Sequence, residues 1–179
     1  MQKYIIIKGE SMISKNYKMW KSIPDGKRCF SCRILQGKVY SFSGPFVPNP
    51  PRHLFCRCFI GAMEAEHAGS ATILGTDGAD WWLKYMKRLP SYYITAKEAE
   101  EKGYHRKSGN LNLVAPGKMY TRGVYHNRDG RLPEASGRTW YEADIDYVEG
   151  FRNKSRILFS NDGLVFVTYD HYDTFVEIL

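Results

Sequence analysis

Four side chains in the C-terminal part of the chain have the chemistry needed to cut a phosphodiester. Glu142 stands in RTWYEADIDYVEGFRNKSR, Arg152 and Arg156 follow it, and His171 lies in TYDHYDTF. The 2′-hydroxyl of RNA can attack the adjacent phosphate without a metal. One group must take its proton, a second must protonate the leaving 5′-oxygen, and cations must meet the charge that develops. Glu142 as base, His171 as acid, and Arg152 and Arg156 as cations would fill those roles. An arginine beside Glu142 keeps it ionised, and a carboxylate close to His171 keeps the imidazole protonated. Glu142 and Asp144 share one face of a strand because side chains alternate, so Asp144 is placed to anchor the arginines as an ion pair. Each residue alone has a plainer use. A lone strand glutamate is usually a solvated face, a single histidine is usually structural, and arginines near carboxylates usually form salt bridges.

The surrounding patterns predict the elements that would carry these groups. TDGADWWLKYMKRLP has Trp81, Trp82, Tyr85 and Met86 near helical spacing, with Thr76 or Asp77 as cap and Pro90 as stop. TAKEAEEKG reads as a short helix, with Thr95 and Glu98 as a capping box and Gly103 at its end. SGNLNLVAPG is a helical turn ended by Pro116. Strand patterns cover about 119–126, 139–146, 156–160, 164–168 and 174–178, with NRDGRLP and SNDG as turns. Helices followed by a run of strands define an α+β class, with helices packed on an antiparallel meander.

The segment from Asp77 to Leu179 resembles the barnase family of small secreted guanyl-preferring bacterial ribonucleases. The matching runs are KRLP, YIT, EA, GNL, VAPGK, NRDGRLP, SGRTW, EADI, GFRN, RIL, TYDHY and TF, in order and without gaps. The resemblance implies the barnase-like α+β fold and a metal-independent endoribonuclease needing no cofactor. Such an enzyme cuts single-stranded RNA after guanine through a 2′,3′-cyclic phosphate. It matches Glu142 to the general base, His171 to the general acid, and Arg152 and Arg156 to the phosphate-binding arginines. Tyr172 matches the substrate-contacting aromatic beside the acid. In YHNRDGR, Tyr125 would stack on guanine and the backbone of Asn127 and Arg128 would meet the base. Asp129 replaces a glutamate that reads the guanine edge, and being one methylene shorter it implies looser guanine preference. Trp140 and Tyr147 are core aromatics. Two positions depart from the family. Ala96 stands where it has a phosphate-binding lysine, with Lys97 one residue late and Arg122 as a compensating cation. Gly123 replaces an aspartate near the site. The resemblance further implies a toxin restrained by a small acidic barstar-like inhibitor over Arg128, Arg152, Arg156 and His171.

Residues 1–60 read as a small Cys-rich, loop-rich unit, joined by a small-residue linker or short helix at 61–76 to the ribonuclease-like domain at 77–179. RCFSC supplies Cys29 and Cys32, and PPRHLFCRC supplies His53, Cys56 and Cys58. The spacing resembles a structural zinc site with five candidate ligands for a tetrahedral set. The alternatives are four reduced thiols or two disulfides formed after export. MWKSIPDGKRCFSC followed by PPRHLFCRC also resembles the C-terminal part of phage Mu-like head-morphogenesis proteins, over about residues 18–60. That resemblance implies a capsid or delivery partner.

The charge is uneven. Residues 1–88 hold 14 Lys and Arg against 6 Asp and Glu, whereas residues 89–179 hold 12 against 13. Net charge therefore does not argue for RNA binding by the half that carries Glu142, and local clustering must. The opening MQKYIIIKGESM has too short an apolar core for a secretory signal, and no apolar run is long enough to span a membrane. The expectation is synthesis in the cytoplasm, no membrane partner, and a non-classical or phage-derived route to any outside target.

Overall fold

The computed structural model describes residues 12–23, 25, 27–43 and 49–179. Of the stretch read for a leader, residues 1–11 lie outside them. In chain order the elements are β1 (Met12–Ser22), α1 (Phe30–Leu35), β2 (Val39–Ser41), β3 (Cys58–Glu66), a 3-10 turn (Gly75–Asp77), α2 (Ala79–Tyr85), β4 (Tyr93–Thr95), α3 (Ala96–Glu101), α4 (Leu111–Val114), β5 (Met119–Tyr125), β6 (Trp140–Asp144), β7 (Arg156–Ser160), β8 (Val165–Thr168) and β9 (Val176–Ile178).

The strands form one open sheet in the order β2-β1-β3-β9-β8-β7-β6-β5-β4. β5 to β9 are the expected antiparallel meander. The sheet as a whole is mixed, because β4 runs parallel to β5 and β3 parallel to β9. The α+β class holds, with helices on an open sheet.

The N-terminal segment departs from the loop-rich reading: it adds β1, β2 and β3 to the sheet and carries α1. The stretch 61–76, read as a linker or short helix, holds β3 up to Glu66 and then the 3-10 turn. Its glycine and alanines mark a strand flanked on both sides, by β1 and by β9. β1 is also tied to β9 by side chains, with the Ser14 hydroxyl donating to Glu177 at 2.5 Å.

The meander faces differ. Ile157, Val165 and Val167 pack with Ala79 and Leu83 of α2. Trp140, Leu158 and Phe166 face the other way and pack with Met19, Val39 and Met63 of the N-terminal strands. The backbone N–H of Val39 donates to Arg131 O at 2.6 Å. Five strands separate β2 from β6 in the sheet order. That contact therefore requires the sheet to coil, in the sense that strand twist favours, until its β2 end reaches the loop before β6.

α2 is capped by Gly78 rather than by the expected Thr76 or Asp77, which belong to the 3-10 turn, and it ends at Tyr85, ahead of Pro90. Its buried face is Ala79, Asp80 and Leu83. Trp81 and Tyr85 instead pack on each other with ring centroids 5.1 Å apart. Asp80 is buried because its carboxylate accepts from Gly69 N, Ala71 N and the Thr72 hydroxyl. α3 has the expected capping box of Thr95 and Glu98. Trp140 and Tyr147 lie in the core.

Candidate active site

β6 presents Glu142 and Asp144 on the face turned toward the N-terminal strands. Glu142 pairs with Leu158 of β7 on one side and Gly123 of β5 on the other, and Asp144 pairs with Arg156. Asp144 takes most of the positive charge. Arg152 Nε donates to it at 2.6 Å, a second Arg152 nitrogen grips its other oxygen, and Arg156 Nε lies 3.1 Å away. Burial by itself would lower the Arg152 pKa, but the hydrogen bonds and charge of Asp144, with Glu142 behind it, hold it above the usual arginine value. The Arg152 guanidinium lies over the Tyr120 ring, 4.6 Å from its centroid, and Arg106 donates to the Tyr120 hydroxyl at 2.9 Å.

Glu142 is held at longer range. Its Oε1 is 3.6 Å from Arg152 and 3.8 Å from Arg156. Only 3% of the residue is exposed, and Oε1 has no hydrogen-bond partner, as is also true of Arg156 Nε. Leaving buried polar atoms unpaired is unfavourable by about 1–3 kcal/mol each.

The turn between β8 and β9 carries His171 and Tyr172. Both have left-handed φ, 63° and 72°, a conformation that non-glycine residues seldom adopt. Asp170 holds the turn by accepting from the Thr168 and Thr174 hydroxyls and from Thr174 N. His171 N donates to Lys154 O at 3.2 Å, and Tyr172 N donates to the Thr168 hydroxyl at 2.8 Å. The His171 ring is exposed, 4.7 Å from that of Tyr172. Burial, then the charge of nearby Glu142, pushes the Tyr172 phenol well up.

The loop between β5 and β6 brings Tyr125 onto Tyr172, stacked at 5.6 Å with 19° between the planes. Burial, then Glu142 and Asp129, pushes the Tyr125 phenol up to about 12. Asn127 is buried with φ 43°, and its carboxamide closes the loop through Leu132 N, Leu132 O and Glu134. Its side chain is thus occupied in shaping the loop, and Arg128 and Asp129 are left exposed at the tip.

The structure therefore brings Glu142, Arg152, Arg156, His171, Tyr172 and Tyr125 into one cluster, with Asp129 close enough for its charge to act on Tyr125. Lys97 stands apart: α3 starts at Ala96 without a shift, and Lys97 is 86% exposed and pairs with Glu101 at 3.8 Å. Ala96 packs against the small core of Ile94, Ala99 and Tyr120. Arg122 is exposed on β5. Gly123 marks a bulge in β5 with φ 77°. Tyr120, Arg106 and Arg131 were not singled out from the sequence; an arginine at 131 following the predicted NRDG turn was the only local signal for the last.

The thiols form a second cluster, at the start of α1. Cys29, Cys32 and His53 converge, as do Cys32, Cys56 and Cys58, so the group is able to hold a metal ion. His53 Nε2 lies 2.9 Å from Cys29 Sγ and 3.5 Å from Cys32 Sγ, while its Nδ1 bonds Leu54 O at 2.8 Å. Cys32 and Cys56 sulfurs are 3.7 Å apart. Burial, then crowding by Cys58, Cys29 and Cys56, pushes the Cys32 thiol far up. Backbone N–H groups push the Cys56 thiol down to about 6.

With this geometry described, comparison with known proteins defines the class. A family model described as ribonuclease matches residues 83–179, and the chain belongs to that family. A ribonuclease of Heyndrickxia coagulans is 53% identical over 109 residues, covering 60% of this chain and 99% of that one. Ribonucleases of Bacillus intermedius and Bacillus pumilus are each 53% identical over 109 residues, covering 60% of this chain and 67% of theirs. The barnase-type resemblance is borne out for the ribonuclease domain. Among the described residues no helix is long and apolar enough to cross a membrane.

Proposed function

We propose that the chain is an endoribonuclease that cuts single-stranded RNA by transfer of the phosphate to the 2′-hydroxyl. The observation that carries this reading is the buried Glu142 carboxylate, flanked by Arg152 and Arg156 with one oxygen unpaired. Glu142 takes the 2′-hydroxyl proton, the 2′-oxygen bonds to phosphorus, and the bond to the 5′-oxygen breaks as His171 protonates it. A 2′,3′-cyclic phosphate remains. Arg152 and Arg156 stabilise the equatorial oxygens in a site where charge is poorly screened. The stacked Tyr125 and Tyr172 and the loop closed by Asn127 support a purine site with guanine preferred, and the short Asp129 supports a less strict preference than a glutamate would give.

Such an activity fits a toxin. An acidic inhibitor over Arg128, Arg152, Arg156 and His171 would protect the cell that makes it, and a phage-derived delivery module fits the N-terminal segment. In that segment the thiol cluster is read as a structural zinc site, since sulfur donors with one imidazole suit that ion. The second reading is a non-catalytic RNA- or capsid-binding module. It is favoured by Ala96 and by the outward Lys97.

The test is cleavage of a fluorogenic GpN dinucleotide by the zinc-loaded full chain with no added magnesium, beside Glu142→Gln and His171→Gln. Cleavage by the wild type alone, leaving a cyclic phosphate, is the expected result. A folded wild type as inert as both variants leaves the binding module as the reading.

A further inference from the structure

The thiol cluster and the nuclease cluster are joined by one short path. Cys29 caps α1 by accepting from Cys32 N through its sulfur at 3.4 Å. α1 has six residues, too few to persist alone in water, so it depends on what holds its ends. At its far end Gln36 is buried, and its side chain accepts from Ser22 N and the Ser22 hydroxyl at 2.8 and 2.7 Å.

The backbone there meets the nuclease. Arg131 Nη1 donates to Gln36 O at 2.9 Å and to Tyr172 O at 2.6 Å, while Arg131 O accepts from Val39 N. One arginine thus joins the base loop, the turn bearing His171 and the turn after α1. Gly37, with φ 74°, lies against that same His171 turn so closely that a Cβ would fall 1.9 Å from Asp173 O. Lys38 reaches Gly130 at the loop tip.

His53 makes the thiol cluster a built site. Its Nδ1 is engaged by a carbonyl, which turns the Nε2 lone pair toward the Cys29 and Cys32 sulfurs, as in a metal-ligating histidine. The Cys32 to Cys56 separation of 3.7 Å is that of two sulfurs on one tetrahedral ion, given metal–sulfur bonds of about 2.3 Å.

We propose that the Cys-rich segment is a metal-set clamp on the nuclease: a thiophilic divalent ion held by His53 and the cysteines fixes α1, and α1 fixes the base loop and the acid turn through Arg131 and Gly37. The ion takes no part in the chemistry. Arg131 is a positioning residue. The catalytic arm of this proposal rests on the ribonuclease reading above, and its structural arm does not.

The test uses the full chain loaded with Zn²⁺, then stripped by a chelator that is removed, then given Zn²⁺ alone. We expect one ion per loaded chain. Stripping should raise amide hydrogen exchange in residues 127–132 and 171–174 at least tenfold and lower kcat/KM on GpN at least tenfold, and zinc should restore both. Arg131→Gln with the ion still bound should reproduce the loss and narrow the preference for GpN over UpN, and Arg131→Lys should recover part of it. No zinc uptake, or uptake and removal without a change in exchange at those two segments, overturns the clamp. An exchange response with unaltered cleavage overturns its catalytic arm. A chain that shows the exchange response but cuts no RNA before or after stripping overturns the ribonuclease reading alone.

Discussion

Glu142 Oε1 and Arg156 Nε lie 3.8 Å apart in the sheet, both buried, and neither has a hydrogen-bond partner. The arginine spends its other contacts on Asp144, Asn153 and Ser155 O. Glu142 Oε1 thus lies close to a guanidinium whose nearer carboxylate is Asp144, and its own acceptor capacity is unused. Glu142→Gln keeps the shape and removes the proton acceptor. It should lower kcat by about 10²–10⁴-fold with little effect on KM, checked by steady-state kinetics on GpN.

Asp144 has a different task. It is fully buried and bonded to Arg152. Asp144→Asn removes the main counter-charge of two arginines, one of them buried, and should destabilise the fold by about 3–5 kcal/mol, read by urea unfolding. Catalysis should fall as well, since Arg152 and Arg156 would turn toward Glu142.

Ala96 opens α3 with its cap intact, so a lysine there enters a formed helix. Ala96→Lys should raise kcat/KM by at least about tenfold, the scale of one added charge stabiliser at the phosphate. An unchanged or lower rate would show that the pocket is already filled by another cation such as Arg122.

Asp162 gives a pH-dependent prediction. Its hydrogen bond to Arg138 holds the carboxyl below the usual aspartate value. The folded state therefore prefers the ionised form. The stabilisation is present above the unfolded aspartate pKa and is lost as pH falls through the lower folded value. Because Asp162 is 44% exposed, Asp162→Asn should cost under about 1 kcal/mol at pH 7. That gap should close when melting is repeated in acid.

Gly37 gives a prediction by shape. Gly37→Ala puts a methyl against Asp173 O and forces a left-handed alanine. The turn must move, at about 1–3 kcal/mol, and thermal melting should show the drop.

The C-terminal elements were legible because their signals are local. Strand-like runs marked β5 to β9, the T-x-x-E run marked α3, and Asn127 to Gly130 marked a turn. Strand periodicity put Glu142 and Asp144 on one face, and the family resemblance in TYDHY singled out His171. β3 was not legible, since Gly61, Ala62 and Ala65 are poor strand formers that become a strand only between β1 and β9. β4 is three residues long in a parallel pairing with no hairpin to announce it. Arg131 was missed for the same kind of reason. Its partners Gln36 and Tyr172 are distant in sequence, and only the coiling of the sheet brings them together.

β3 pairs with β9 at positions 64–66 and 176–178, in parallel. Such a pairing joins distant parts of the chain and forms slowly. The His171 turn hangs between β8 and β9, so it is set only when β9 docks. β9 is braced by β3 on one side and by β8 on the other. The placement of His171 is thus tied to strands at the opposite end of the chain, so anything that loosens β3 should be felt at the histidine.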